Sequence, residues 1–180
     1  MGYPRPRAST APHQATNQAL KILYTNARSI VNKVQELKLY VRDVNPDVIA
    51  ITETWTHCNI SDNYLSIPNF YIAARHDRND TLNGRGGGIL IYVKNQWKSC
   101  ETTNQSNFNQ YASIKIAIQN DTINIVVIYR SPNSTRTNND ELIETLRAVN
   151  NPVIVLGDFN YPAANWSTLT GCTDSQTLRR

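Results

Sequence analysis

The stretch "LKILYTNARSIVNKVQELKLYVRDVNPDVIAITE", Leu20–Glu53, decides the fold, because it contains a strand, a helix and a second strand in succession. Its first part, Leu20–Asn26, is a short apolar run with a polar end, which is typical of a buried strand. Asp47–Thr52 has the same character and delivers Glu53 at its carboxyl end. Between them, apolar residues recur at three- and four-residue spacing on one helical face: Ile30, Val34, Leu37, Val41 and Val44.

The ends of this helix also have sequence signals. Ser29 is the predicted amino-terminal cap, and Asn45-Pro46 ends the helix. A strand, a helix and a strand in this order form a right-handed crossover onto one sheet. If the two strands are parallel neighbours, Asn26 and Glu53 open at the same edge of that sheet.

The middle of the chain changes to short strand-like runs separated by loops rich in Gly, Asn and Asp. Alternation in Ser113–Ile118 predicts a half-exposed antiparallel strand, and the continuous apolar run Ile123–Tyr129 predicts a central one. Asn138–Val149 has one apolar face and a possible Asn or Asp cap, so it predicts a second helix. Roughly seven or eight strands and two helices result, which favours sheets packed face to face with helices outside.

Composition limits the class of protein. The net charge of +4 and pI of about 9.0 fit a polyanion partner without establishing one. Three distant cysteines without a CxxC pair indicate a reduced, intracellular compartment and neither a disulfide framework nor a zinc site. Residues 1–19 are predicted to be a disordered lead, and residues 20–180 one domain. No apolar run has the length of a membrane helix, so no membrane partner is expected.

Polar side chains follow several of the predicted central strands: Asn26, Glu53, Tyr129, and Asp158 with Asn160. Each has a structural alternative. Asn26 can start a turn, Glu53 can be a surface carboxylate, and Tyr129 can be a core aromatic with its hydroxyl at the rim. Asp158 and Asn160 can form an Asx turn after "PVIVLGDFN". The recurrence of the feature at strand ends, where open sheets place ligands, favours a shared site.

These residue types fit the hydrolysis of a phosphodiester. Mg²⁺ prefers carboxylate and carboxamide oxygens, which makes Glu53 a natural ligand. Asp158 can orient or deprotonate the attacking water, and Asn160 can hydrogen-bond a phosphate oxygen without adding negative charge. The Tyr129 hydroxyl can stabilise charge that develops on the phosphate.

Three other features are weaker candidates. "GRGGGILIYVK", Gly84–Lys94, lacks the Gly-Lys-Ser/Thr ending of a phosphate loop and precedes a strand, so a tight turn with close backbone packing is the favoured interpretation. The basic segment Arg75–Lys98 can contact phosphates or be a solvated surface. The histidines offer no clear candidate, because His13 lies in the lead and His57 and His76 are expected in loops.

Four segments in order carry a family resemblance: "NARSIVNKVQELKLYVRDVNPDVIAITETW", "RGGGILIYVK", "VVIYRSP" and "VIVLGDFN". From Leu20 to Trp166 the chain resembles the endonuclease domain of LINE-type (non-long-terminal-repeat) retrotransposon proteins, in the endonuclease/exonuclease/phosphatase superfamily. The resemblance implies a four-layer α/β sandwich, Mg²⁺-dependent cleavage of DNA with Mn²⁺ as an alternative ion, and a nuclear location for a functional protein. A phosphatase or sphingomyelinase of the same superfamily fits less well, because "ITETW" and "RGGG" favour the LINE-type branch.

The resemblance also implies roles for individual residues. Asn26 matches the first-strand asparagine near the metal, and Glu53 matches the principal metal-binding glutamate. Tyr129 matches the active-site tyrosine. Asp158 matches the aspartate that positions the water, and Asn160 matches the asparagine that contacts the phosphate.

The chain departs from the family pattern after GDFN. The family continues with more strands, a further active-site aspartate and a final Ser-Asp-His, whereas no histidine follows Asn160 here. Asp174 is too close to Asn160 in sequence to replace that motif. The expectation is therefore a partial sandwich, the amino-terminal part of the domain. The alternative to an active endonuclease is a catalytically inactive truncated remnant with at most weak nucleic-acid binding.

Overall fold

The computed structural model describes residues 19–77, 86–102 and 106–161. The predicted disordered lead, except Ala19, lies outside the described residues, as does the segment that contains Asp174. In the described part the elements are β1 (Ile22–Asn26), α1 (Val34–Val44), β2 (Val48–Thr52), α2 (Asp62–Leu65), β3 (Phe70–His76), β4 (Ile89–Lys94), β5 (Ser99–Glu101), β6 (Tyr111–Ile118), β7 (Asp121–Tyr129), α3 (Arg136–Ala148) and β8 (Val153–Asp158). None of the helices there has the length and apolar character needed to cross a bilayer.

Two four-stranded sheets form the centre of the molecule, in the orders β1-β2-β4-β3 and β5-β6-β7-β8. Strands β1 and β2 are parallel, as are β7 and β8, while the remaining pairs are antiparallel. The prediction that Ile123–Tyr129 is a central strand is confirmed, because β7 lies between β6 and β8. The two parallel pairs each bring two carboxyl ends to one edge.

Strand β2 shows why the sheets are covered on both faces. Its five residues are all buried. Val48 and Ala50 point into the core between the sheets, while Ile49 and Ile51 pack under α1 with Leu37. Burial of each such aliphatic side chain stabilises the fold by about 1.5–3 kcal/mol.

The second sheet is covered in the same way. Leu142 of α3 packs against Val126 and Ile128 of β7 and against Phe108. The layers are therefore α1, the first sheet, the second sheet and α3. This order confirms the predicted four-layer α/β sandwich.

Several predicted details were wrong. Ser29 does not cap α1, because its backbone N–H donates to the Glu53 carbonyl (2.8 Å) and that of Ile30 to the Thr54 carbonyl (3.0 Å). These bonds continue the pairing beyond β2, and the helix begins only at Val34, without a side-chain cap.

The remaining differences concern caps and short elements. Thr135, rather than an Asn or Asp, caps α3 by accepting from the Asn138 N–H. Helix α2 and strand β5 were not predicted, because four and three residues are too few to show a period. His76 ends β3 and is not in a loop.

Candidate active site at one rim of the sandwich

Four strand ends meet at one rim of the sandwich. Asn26, Tyr129 and Asp158 are the last residues of β1, β7 and β8, and Glu53 directly follows β2. In the parallel ladders Asn26 is opposite Thr52, and Tyr129 is opposite Asp158. The prediction that Asn26 and Glu53 open at the same edge is therefore confirmed.

A hydrogen bond joins the two sheets at this rim. The Asn26 side-chain amide donates to Asp158 Oδ2 (2.8 Å), although 132 residues separate the two positions. The bond places the amide of the first strand beside the carboxylate of the last described strand. The sequence motifs could not specify this contact, because it depends on how the two sheets pack.

The structural alternatives for Asn26 and Asp158 also hold. Asn26 Oδ1 accepts from the Arg28 N–H (3.2 Å), and Asp158 Oδ1 accepts from the Asn160 N–H (3.2 Å), which are Asx turns. Each side chain thus fixes its own loop with one atom and contacts the other sheet with another. A turn role and a site role are compatible here.

Glu53 is held by an unusual backbone and two donors. Its φ is +56°, in the left-handed region that a residue with a side chain rarely adopts. Its Oε2 accepts from the Trp55 indole N–H (2.6 Å) and from the Gly87 backbone N–H (3.2 Å). No described residue donates a hydrogen bond to Oε1. Glu53 is therefore an oriented carboxylate with one open oxygen, and not a mobile surface charge.

The glycines of the "RGGG" motif provide this second donor. Gly86, Gly87 and Gly88 all have positive φ, of 122°, 78° and 87°. The Trp55 N–H donates to the Gly87 carbonyl (3.0 Å), and a Cβ on Gly88 would lie 2.3 Å from Thr54 Oγ1. The predicted close backbone packing before a strand is confirmed for these glycines. Arg85 lies outside the described residues.

Tyr129 lies at the rim end of the core between the sheets and is only 6% exposed. Its ring packs with that core, which agrees with the aromatic-core alternative, and its position opposite Asp158 agrees with the site interpretation. The catalytic role of its hydroxyl stays a prediction.

Tyr24 is a rim residue that the sequence reasoning missed. Its hydroxyl is hydrogen-bonded to Thr52 Oγ1 (3.0 Å). Burial raises the pKa of the Tyr24 phenol, and the carboxylates of Asp158 and Glu53 raise it further against the effect of the Thr52 bond. Tyr24 therefore lies within electrostatic reach of both carboxylates. Its spacing of two from Asn26, on the same face of β1, was a signal that could have identified it.

Arg130 is a second missed residue, and it holds the loop after β8. Its guanidinium donates to the Asn160 carbonyl (2.7 Å) and lies 4.0 Å from the centre of the Tyr161 ring. In return the Asn160 side-chain amide donates to the Arg130 carbonyl (2.6 Å). Arg130 is 6% exposed. It fixes Asn160, whose φ is +45°, next to Asp158.

The weaker candidates are largely paired with other groups. Arg75 forms ion pairs with Asp62 (2.5 Å) and Asp77 (2.8 Å). His76 Nε2 lies 2.8 Å from Glu101 Oε1. Part of the basic segment lies outside the described residues, and the Arg75 guanidinium at its start is already neutralised by carboxylates.

The donor set at the rim fits one class of metal ion. Within the described ranges no group of three or more His, Cys, Asp or Glu side chains is placed to hold a metal. The open Oε1 of Glu53 and the carboxamide oxygen of Asn26 are hard oxygen donors. Mg²⁺ is typically bound through one or two carboxylates and keeps several waters. The residues therefore fit Mg²⁺ or Mn²⁺ rather than a zinc site.

Comparison with known proteins identifies relatives of the chain. A family model described as the endonuclease/exonuclease/phosphatase family matches residues 23–178. The RNA-directed DNA polymerase from mobile element jockey of Drosophila melanogaster is 26% identical over 164 residues, which are 91% of this chain and 17% of that protein.

Solved structures share the fold. The endonuclease domain of TRAS1, a telomere-specific non-LTR retrotransposon, superimposes with a TM-score of 0.57 at 15% identity, covering 82% of this chain and 62% of that chain. The AP endonuclease LMAP from Leishmania major gives 0.58 at 15% identity, covering 77% of this chain and 54% of that chain. The chain spans less than two thirds of each relative's length.

Proposed function

The chain belongs to the endonuclease/exonuclease/phosphatase family, and from that premise we propose that it is a Mg²⁺-dependent DNA endonuclease domain of a LINE-type retrotransposon protein. The proposed reaction is hydrolysis of one phosphodiester in target DNA. The likeness to the jockey mobile-element protein and to the TRAS1 endonuclease domain supports this choice within the family.

The observation that carries the proposal is the contact of Asn26 with Asp158 at the rim where Glu53 also opens. Three polar groups from three strands converge there. The Asp158 carboxylate has a fixed orientation, because the Asn26 amide donates to one of its oxygens and the Asn160 backbone N–H donates to the other. Fixed orientation is what a group that positions an attacking water requires.

Each residue then has a defined task. The Asp158 carboxylate accepts a hydrogen bond from the water and removes its proton as the water oxygen bonds to phosphorus. The bond from phosphorus to the leaving oxygen breaks in the same displacement, and the leaving oxygen takes a proton from solvent. The Asn160 amide has two hydrogens, of which one donates to the Arg130 carbonyl and the other is available for a phosphate oxygen. Tyr129 donates to the developing negative charge.

Glu53 Oε1 and Asn26 would hold the divalent cation. The ion, when bound, neutralises charge on the phosphate and on the leaving oxygen. The protein's own contribution is to hold Glu53 through Trp55 and Gly87, which fixes the side-chain conformation and leaves Oε1 without a donor among the described residues.

A plasmid assay tests the proposal. Purified chain is incubated with supercoiled plasmid and Mg²⁺ beside an Asp158→Ala variant, with Asp121→Ala as the matched control. Asp121 is an exposed aspartate at the opposite end of β7. We expect the chain and the control to nick the plasmid and the Asp158 variant not to do so.

The alternative has its own outcome. Absence of nicking by a chain with a folded circular-dichroism spectrum would overturn the proposed activity. If that chain retarded DNA with a salt-dependent affinity, it would be a nucleic-acid binder without intrinsic cleavage.

A further inference from the structure

The two oxygens of Glu53 have different surroundings. Oε2 accepts two N–H donors, one from the Trp55 indole and one from the Gly87 backbone, and no described residue donates to Oε1. The indole contact is short, at 2.6 Å. The side chain therefore keeps one oxygen, Oε1, without a donor among the described residues.

The two donors are joined to each other. The Trp55 N–H donates to the Gly87 carbonyl (3.0 Å), and Glu53 and Trp55 both have φ values of +56°. Gly87 adopts a φ of 78°, which a residue with a side chain would adopt only with strain. Trp55 and Gly87 thus form one rigid clamp, defined here as these two residues with the bond between them.

We propose that this clamp makes Glu53 a one-oxygen ligand and thereby makes the site select Mg²⁺ and Mn²⁺ against Ca²⁺. The inference rests on the metal-binding part of the proposed function. Trp55 is then a positioning residue, because it acts on the ion only through Glu53.

The reason lies in the coordination habits of the ions. Mg²⁺ needs close to octahedral geometry at about 2.0–2.1 Å and takes one oxygen from each carboxylate. Ca²⁺ takes six to eight oxygens at about 2.3–2.6 Å and often binds a carboxylate through both oxygens. Oε2 already accepts two hydrogen bonds, so it can join a calcium ion only if it gives up the one from the indole or the one from Gly87. The clamp therefore disfavours the binding mode that would favour Ca²⁺.

The sequence supplies a matched pair of variants. Trp55→Phe removes the indole donor from Glu53. Trp97→Phe makes the same change where the indole donates to Asp47 Oδ1 (2.9 Å), at the other end of β2. Trp97 also packs against the core between the sheets, so its variant reports the structural effect of losing an indole from a carboxylate.

Metal binding is measured on the full chain without DNA. Free Mn²⁺ is followed by electron paramagnetic resonance, and Ca²⁺ affinity is obtained by competition. We expect Trp55→Phe to raise the Kd for Mn²⁺ about ten-fold and to change the Kd for Ca²⁺ by much less. The ratio of the Kd for Ca²⁺ to the Kd for Mn²⁺ should therefore be smaller in Trp55→Phe than in the wild-type chain. Trp97→Phe should leave both constants unchanged.

Three outcomes would overturn the inference. They are no Mn²⁺ binding by the wild-type chain, an unchanged Kd in Trp55→Phe, and an equal loss of Mn²⁺ and Ca²⁺ affinity in that variant. If that variant does not fold, the indole proton of Trp55 in the wild-type chain gives the answer by NMR. It should keep its downfield shift when Mg²⁺ saturates the site, and loss of that shift would contradict the clamp.

Metal selectivity and plasmid nicking are separate measurements, so one can fail while the other succeeds. If the chain binds Mn²⁺ with the expected selectivity but nicks no plasmid, the clamp is supported and the proposed endonuclease activity is overturned. If the wild-type chain nicks plasmid and both tryptophan variants have the same metal preference, only the proposed role of the clamp is overturned.

Discussion

Strand β2 carries a carboxylate at each of its ends, and the two are surrounded differently. Asp47, just before the strand, is 8% exposed. Its Oδ2 accepts from the Lys21 N–H (2.9 Å), and its Oδ1 accepts from the Trp97 indole (2.9 Å). Glu53, just after the strand, also accepts from an indole, but only on Oε2. One carboxylate is closed on both oxygens, and the other keeps one open.

The difference distinguishes a carboxylate that is bonded on both oxygens from one that keeps an oxygen for the proposed metal ion. A buried carboxylate is stable when hydrogen bonds satisfy its acceptors, as they do at Asp47. Glu53 is also oriented by two donors, but its Oε1 accepts from no described residue. Open capacity on a fixed side chain is the property that a metal site needs.

Replacing each of the two carboxylates by an amide should give the largest difference between them, and that difference should appear in nicking activity. Glu53→Gln keeps the size of the side chain and removes its charge, so nicking should fall on the order of a thousand-fold or more, as for members of a cooperative catalytic set. Asp47→Asn should keep wild-type nicking per folded molecule. Time courses of plasmid nicking measure both, and wild-type rates for Glu53→Gln would contradict the assignment of Glu53.

For stability the order should be the opposite, with a larger loss of unfolding free energy in Asp47→Asn than in Glu53→Gln. In Asp47→Asn an amide N–H₂ group replaces one of the two oxygens that accept from Lys21 and Trp97. One of those N–H donors then loses its acceptor, which should lower the free energy of unfolding by about 2–3 kcal/mol. Glu53→Gln should change that free energy by less than about 1 kcal/mol, because the new amide nitrogen can take the place of Oε1, which accepts from no described residue. Urea denaturation followed by circular dichroism measures both values. Equal losses would mean that Glu53 is structural too.

Gly88→Ala tests whether the glycine backbone beside Glu53 is needed to orient that carboxylate. The new Cβ would lie 2.3 Å from Thr54 Oγ1 at a φ of +87°, so the variant should lose about 1–3 kcal/mol of stability. Because Gly87 adjoins this position, Mn²⁺ affinity should fall as well. Urea denaturation and Mn²⁺ titration on the folded fraction separate the two effects. Normal affinity in a destabilised variant would show that Glu53 does not depend on the glycine backbone.

Asp77 extends the comparison to a third carboxylate and gives the smallest effect. Burial alone would raise its pKa, but hydrogen bonds from Arg75 and Thr56 hold that pKa below its usual range. Its contribution to stability is therefore complete above the unfolded pKa of about 4 and is lost as the pH falls through the folded pKa. Asp77→Asn should flatten the decline in stability over that acid range. An unchanged profile in urea denaturation at several pH values would remove the role of this carboxylate.

Much of the fold could be predicted, because burial imposes a period on the sequence. The helical spacing of Val34, Leu37 and Val41 and the continuous apolar run of β7 both appear as buried faces. Ser29 was misread because its N–H pairs with the Glu53 carbonyl, a contact set by the chain after β2. Local propensity contains no information on such a contact.

The strand-end positions of the candidate site residues were predictable, but their contacts were not. Asn26, Glu53 and Asp158 could be identified from polar groups at strand ends and from the resemblance to a family. The bond between Asn26 and Asp158 depends on how the two sheets pack. The contact of Gly87 with Glu53 depends on a backbone with positive φ. Neither has a period or a spacing that a sequence shows.

The most direct test of the open oxygen is a Mn²⁺ titration of Glu53→Gln and Asp47→Asn, followed by electron paramagnetic resonance of the free ion. Each variant loses one carboxylate charge, at one or the other end of β2, so nonspecific electrostatics affect them alike. The account predicts that Asp47→Asn binds Mn²⁺ with wild-type affinity and that Glu53→Gln loses specific binding. Equal binding by the two variants would contradict it.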